Sequence, residues 1–471
     1  MAMNRRDLLI SSVAAATGVG LAGCDDHGAS KLPQAPAPTT GPDGKRLIPW
    51  QNWSGYQFGV PVQRLVPKDE AELSDIMRHA PGPIRPVGAG HSFTALVPTD
   101  GTLLSLRNFS GLLSHDQDSM TARLGAGTRL GDVGPMLDEV GQALANMPDI
   151  DSQTLAGAIG TATHGTGAGL GALHSYVKAL RLVTPRGEII DCSAEQNPEV
   201  FSAAKVSLGS LGVITQMTLQ NVPTHRLKRR SWLAPIDELI DNFDQLVSEN
   251  HSFEMYYIPF CSQAMAVAIN PTDEPMQPRG PEQDNDAVMQ MKQLRDWLSW
   301  WPGMRQRLLD MATRDFEPEE AVDVWYRIFP SSREVRFNEM EYHLPSEALM
   351  PAFKQVRERI ESQHHEEFFP VEIRVVRGDD AMLSPFQGHA VSSSIAVHRY
   401  HKEDPLPYFA SLEPIYQPYE GRPHWGKMHT LSSAQLAARY PRWKDFLAVR
   451  EALDPDGRML NPYLRQLFGI S

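Results

Sequence analysis

Apolar and polar positions along this chain alternate in short blocks rather than in one long period. Residues 69–80 place Leu73, Ile76, Met77 and Ala80 at helical spacing, which predicts a helix, and residues 84–87 form a short apolar run ended by Gly-Ala-Gly. The stretches 177–183 and 188–192 flank Pro-Arg-Gly at 185–187, a turn composition that predicts a β-hairpin. Val213, Thr215, Met217 and Leu219 alternate with Ile214, Gln216 and Thr218 in a further strand. Past Asn221-Val222-Pro223 the character shifts. Helical runs are predicted at 235–249 and 287–311, a proline-bearing acidic surface loop at 271–286, and strands at 254–259, 334–342 and 368–376. The fold class implied is α+β, with two domains.

The N-terminus departs from this pattern. Arg5-Arg6 precedes a short apolar run that ends in Leu21-Ala22-Gly23-Cys24, resembling a twin-arginine lipoprotein signal cleaved before a lipidated Cys24. The run is shorter than the ~20 apolar residues of a spanning helix. Residues 28–44 carry four prolines and almost nothing to bury, so they read as a tether. The expected layout is a signal at 1–23, a flexible tether at 24–48, a first domain at 49–221, a second at 222–435, and a C-terminal segment at 436–471. Export would leave the protein on the periplasmic face of a bacterial cytoplasmic membrane, held there by lipid. Twin-arginine export carries folded proteins, and the usual need for that is a cofactor installed beforehand.

Composition narrows the chemistry. With 44 basic against 57 acidic residues, a net charge of −13 and no basic patch, nucleic acid is not expected as a partner. Three cysteines are too few for a disulfide scaffold or a multi-thiolate metal site, so redox chemistry needs a cofactor. Two glycine-rich segments offer bare backbone to a planar or phosphorylated ligand. They are Arg85-Pro86-Val87-Gly88-Ala89-Gly90-His91-Ser92-Phe93 and Leu155-Ala-Gly157-Ala-Ile-Gly160-Thr161-Ala-Thr163-His164-Gly165-Thr-Gly167. The first lacks the third glycine of the dinucleotide fingerprint. A third cluster, Gly209-Ser-Leu-Gly212-Val213-Ile214, follows in the same domain.

Together these segments resemble the flavin-binding domain of the vanillyl-alcohol oxidase superfamily. Downstream, Phe337-Asn-Glu339-Met-Glu341-Tyr, Val371-Glu372-Ile-Arg374, Pro423-His424-Trp425-Gly426-Lys427-Met-His429 and the 454–463 turn look like its aldonolactone and alditol oxidase branch, which includes D-arabinono-1,4-lactone oxidase. The likeness runs from about Trp50 to Gly469. It implies an FAD-binding domain of two α+β subdomains, and a substrate domain whose sheet covers the flavin ring. The C-terminus would return to the first domain. It also implies that FAD is joined covalently to His91, with Arg85 to Ser92, Thr154, Gly157, Gly160, Thr161, Thr163, His164, Gly165, Gly212, Val213, Ile214 and His429 around the cofactor.

Glu372 and Arg374 share one strand face by alternation. On their own they read as a solvated ion pair on an exposed face. The resemblance makes them substrate-binding groups, Glu372 accepting from substrate hydroxyls and Arg374 stabilising oxyanion charge. Lys427 is placed beside substrate and flavin, with the catalytic base unassigned, because an ordinary lysine is protonated at neutral pH. His364-His365-Glu366-Glu367 reads as a solvated helix face, and Glu339 and Glu341 as packing or pocket-rim residues. The implied reaction is FAD-dependent oxidation of a carbinol in a polyol or sugar-derived lactone, with hydride passing to flavin N5 and the electrons then to oxygen or a respiratory carrier. Two other readings predict a colourless protein: a non-catalytic sugar- or partner-binding lipoprotein, and a metal hydrolase built on His424 and His429. No metal is expected on the reading adopted.

Overall fold

The computed structural model describes residues 32–41, 44–280 and 284–470. The signal segment and Cys24 lie outside the described residues. Within the stretch read as a tether, Thr39–Thr40 pairs antiparallel with Arg46–Leu47, so part of it is a small hairpin.

The N-terminal half is built on two sheets. A parallel one has the order Gln63–Leu65, Thr102–Ser105, Ile84–Val87. The helix Glu70–His79 belongs to it, and Asp69 caps that helix by accepting from Glu72 N. An antiparallel five-stranded sheet has the order Ile189–Ser193, Val177–Val183, Val213–Gln220, Thr121–Gly125, Leu112–Asp116. The 185–187 turn closes its hairpin, with Val183 opposite Ile189. Strand alternation decides which side chains face which core. Val213 joins Leu73, Met77 and Ile84 in a small cluster, whereas Ile214 belongs to the main one.

The second half is an antiparallel sheet of eight strands, in the order Glu319–Val324, Arg226–Pro235, Gln263–Thr272, Ser252–Tyr257, Val371–Arg377, Val391–Tyr400, Phe337–Pro345, Arg422–Pro423. Val371, Ile373 and Val375 alternate onto the apolar side, which joins one large core with Phe353, Val356 and Ile360 of the helix Leu349–Gln363. The other face is polar. Register places Glu339 opposite His398, His343 opposite Ser394, and both Glu341 and Glu372 opposite Ala396.

Two predicted helices are broken. The 235–249 run divides into Ile236–Asp241 and Phe243–Glu249, and the 287–311 run into Asp284–Leu298 and Pro302–Thr313. Pro302 starts a helix, since proline lacks the N–H that a continuing helix needs. The 364–367 segment is not a helix face. The preceding helix ends at Gln363, and Glu367 is buried against Arg399.

The end of the chain packs on the first half. Ile84 N donates to Arg458 O at 2.8 Å, and Asn461 Nδ2 donates to Ala95 O and Pro98 O, each at 2.8 Å.

Candidate active site

A long cleft opens where the Ile84–Val87 and Thr102–Ser105 strands end, between the segments 126–129, 153–161, which includes the short helix Leu155–Gly160, and 207–214. Its first wall is the glycine turn. Gly90 has φ +70°, a backbone state that side-chain-bearing residues rarely adopt, and a Cβ on Gly88 would run into the Thr154 side chain. Both ends of the turn are fastened. Trp53 N donates to Gly90 O at 2.8 Å, Phe93 N to Gly426 O at 2.7 Å, and Thr94 Oγ1 to Trp425 O at 3.0 Å. The last two bonds tie the turn to the His424-Trp-Gly-Lys427 segment of the other half.

His91 lies in this turn, its ring 4.6 Å from that of Trp53. Its Nε2 is shut off from solvent with no hydrogen-bond partner. Burial, then the charges of Lys427 and Arg333, lowers its pKa to about 3, so the imidazole is neutral. Pro86, Val87, Gly88, Ala89, Gly90 and Ser92 line the cleft beside it.

Thr154, Gly157, Gly160 and Thr161 form the second wall, with Gly212 and Ile214 further along. A Cβ on Gly160 would meet nothing within 4 Å, so its bare backbone faces open space. Thr161 Oγ1 is spent on Gly157 O at 3.0 Å. Arg85 also lines the cleft, but its donors go to main-chain carbonyls: Leu96 at 2.7 Å, Leu208 at 2.7 Å, Gly209 at 2.8 Å and Met459 at 2.6 Å. It staples together three loops that shape the cleft.

Five residues assigned to the cofactor from sequence lie off these walls, and one of them, His164, stands against Glu341 instead. Thr163 donates to Gln153 Oε1 at 3.0 Å, and Gly165 packs against Asn146. Val213 turns into the small core as described above. His429 sits behind Trp425, near the Tyr463 hydroxyl at 3.4 Å, and burial lowers its pKa to about 4. His424 and His429 therefore do not form one cluster; His424 stands instead with His164 and Glu341.

The polar face of the large sheet supplies a network of charged groups. Arg374 reaches Glu341 Oε1 and Glu372 Oε2, each at 3.3 Å, and Asp149 Oδ2 at 3.9 Å. Burial alone would raise Glu341, yet Arg374 and then His164 outweigh it and hold the carboxyl well below its usual range. His164 Nδ1 is 2.8 Å from Gly165 O, which can only accept, so Nδ1 carries a hydrogen. Its Nε2 lies 3.0 Å from Glu341 Oε1, within hydrogen-bond range. Lys427, which lines the same cleft as His91, donates directly to Glu339, and His398 lies 3.7 Å from that carboxylate. Burial lowers the pKa of both His398 and His424, leaving neutral rings.

Sequence reasoning overlooked Asp149, Glu254, Tyr256, Arg333 and His398. Glu254 and Tyr256, two apart on the Ser252–Tyr257 strand and so on one face, were a legible signal. Asp149, in an irregular loop of the other half, carried none.

The cleft fits a flavin dinucleotide. It is long and glycine-walled, it ends at a neutral histidine with an orphaned ring nitrogen, and a polar wall suited to hydroxylated substrates stands near that histidine. Residues 61–193 match the FAD binding domain family, and residues 217–467 match D-arabinono-1,4-lactone oxidase. L-gulono-1,4-lactone dehydrogenase of Mycobacterium tuberculosis is 35% identical over 89% of this chain and 99% of its own. L-gulonolactone oxidase of Bos taurus is 30% identical over 90% and 99%, and alditol oxidase of a Streptomyces species 27% over 88% and 98%. Cholesterol oxidase of B. sterolicum, at 18% identity, superposes with a TM-score of 0.73 over 93% of this chain and 99% of its own, which shows a shared fold. With an FAD domain followed by a sheet-based substrate domain, and a family match over more than half its length, this chain belongs to the D-arabinono-1,4-lactone oxidase family of FAD-linked oxidoreductases.

Proposed function

We propose that the protein oxidises a CH–OH carbon of a sugar-derived lactone or polyol, with FAD tethered covalently through His91. The observation that carries this reading is the neutral, unpartnered His91 imidazole in the cleft that Lys427 also lines. A neutral ring nitrogen keeps a lone pair for bond formation, and burial protects it from protonation across the working pH range. Bound FAD supplies a two-electron acceptor for the hydrogen on the carbinol carbon.

The chain's own groups bind and orient the substrate. Glu372 accepts from its hydroxyls, and Arg374, held by three carboxylates, stays protonated and stabilises negative charge on the reacting oxygen. Lys427, fixed by Glu339, presents its remaining ammonium hydrogens as donors. Lys427→Ala is expected to keep its flavin and lose roughly 100-fold or more in turnover. Parallel measurement of flavin absorbance and kcat checks both parts, and a turnover near that of the parent would remove Lys427 from the site.

The relatives' names include oxidases and dehydrogenases, so oxygen and a respiratory carrier both belong in the assay. The N-terminal sequence supports an exported lipoprotein on the periplasmic face, anchored through Cys24. In a host with functional export, Cys24→Ala should move the protein from the membrane to the soluble periplasmic fraction. Retention in the membrane would contradict the anchor.

A further inference from the structure

The polar wall holds more carboxylate oxygens than its donors satisfy. Asp149, Glu254 and Glu372 each bring an oxygen within 4.8 Å of the other two. Tyr256 has a single hydroxyl hydrogen, yet stands 3.0 Å from Glu372 Oε1 and 3.3 Å from Asp149 Oδ2. The shorter contact takes the hydrogen. Arg374 is 3.3 Å from Glu372 but 3.9 Å from Asp149, beyond hydrogen-bond range. Asp149 is also the one member delivered by the first half of the chain, and Ser331 N, donating to its carbonyl at 3.1 Å, pins its main chain. Its side chain keeps 15% of its surface open, against 8% for Glu372. A rigidly placed carboxylate, short of donors and more open than Glu372, is built to receive a hydroxyl.

We propose that Asp149 is a specificity-determining residue of this site, accepting a hydrogen bond from a hydroxyl of the polyol or lactone. The role rests on the function proposed above. The groups facing it are Glu254, Glu372, Tyr256, Arg374 and Arg333. Burial first, then Glu372, raises the Asp149 carboxyl to about 6, and burial with Asp149 raises Glu254 well above the usual range. Below pH ~6 Asp149 carries a proton and is satisfied by donating it to Glu372. Above that pH it is an anion with free lone pairs for a substrate hydroxyl. Substrate affinity therefore strengthens as pH rises through this range, while the chemical step does not follow the same titration.

The test uses the flavin-loaded enzyme, a panel of alditols and aldonolactones, and the variants Asp149→Asn and Asp149→Ser. In the parent, KM should fall about tenfold from pH 5 to 7.5, following the ionised fraction of one group. In Asp149→Asn that slope should vanish, with KM near neutral pH raised about tenfold or more and flavin content and kcat little changed. One single-deoxy substrate should lose affinity in the parent and not in the variant. Infrared difference spectra give a readout without turnover: a carboxylic acid band that titrates in the parent and is absent from both variants. Persistence of the pH slope in Asp149→Asn, equal losses for every deoxy substrate in parent and variant, or an unchanged infrared titration would each overturn the proposal. A parent that oxidises no lactone or alditol would instead sink the function on which it rests.

Discussion

Replacing His91 by alanine is expected to give a folded protein whose acid-precipitated pellet is colourless, where that of the parent is yellow. The turn that carries His91 is held by main-chain and Thr94 bonds to Trp53, Gly426 and Trp425, none of which involves the imidazole. Removing the ring deletes its contacts with Trp53 and Phe93 but no hydrogen bond, so the cleft persists and FAD can still occupy it by its non-covalent contacts. The flavin should then appear in the acid supernatant, and purification should lower its content below one per chain. Absorbance of pellet and supernatant measures the partition directly. A yellow pellet from His91→Ala would mean that another residue carries the link.

Arg374→Met is expected to have the larger energetic effect. Arg374 is the shared counter-ion of Glu341 and Glu372, both buried, and of the partly buried Asp149. Breaking a buried ion pair by removing one partner costs roughly 3–5 kcal/mol, because the carboxylates left behind are uncompensated. Some of that penalty will be relieved by proton uptake, since Asp149 already titrates near 6. The loss of stability should accordingly be smaller in acid and larger as pH rises through that value. Loss of a fixed cation beside the reacting oxygen should also lower kcat/KM roughly 100- to 1000-fold. Arg374→Lys should restore charge but only part of the activity, since one ammonium cannot reproduce the guanidinium fork that reaches three carboxylates. Denaturant midpoints at several pH values and kcat/KM on the same preparations test both halves. A variant as stable as the parent at pH 8 would contradict this view of the wall.

The parts of the site legible in sequence were those written in local order. Period-two alternation put Glu372 and Arg374 on one face, and the structure has them 3.3 Å apart. The glycine turns were readable because bare backbone at Gly88 and Gly90 answers a steric need that other residues fail. The same alternation set Val213 and Ile214 on opposite faces, and the structure puts them in different clusters. What sequence hid was contact across long separations. Asp149 meets Tyr256 and Glu372 only because a loop of the first half reaches a sheet of the second. Arg85 reads as a cofactor residue because it adjoins a glycine turn, yet Leu208, Gly209 and Met459, far along the chain, offer it carbonyls. The 364–367 segment reads as helix surface until Arg399 is seen to claim Glu367.

Electrons pass in this cleft from a hydroxylated carbon to a bound flavin. Anaerobic mixing of the purified yellow protein with an aldonolactone or alditol tests it most directly. At least one member of that class should bleach the flavin absorbance rapidly, and the colour should return when an electron acceptor is admitted. Full absorbance retained with every lactone and polyol tried would contradict it.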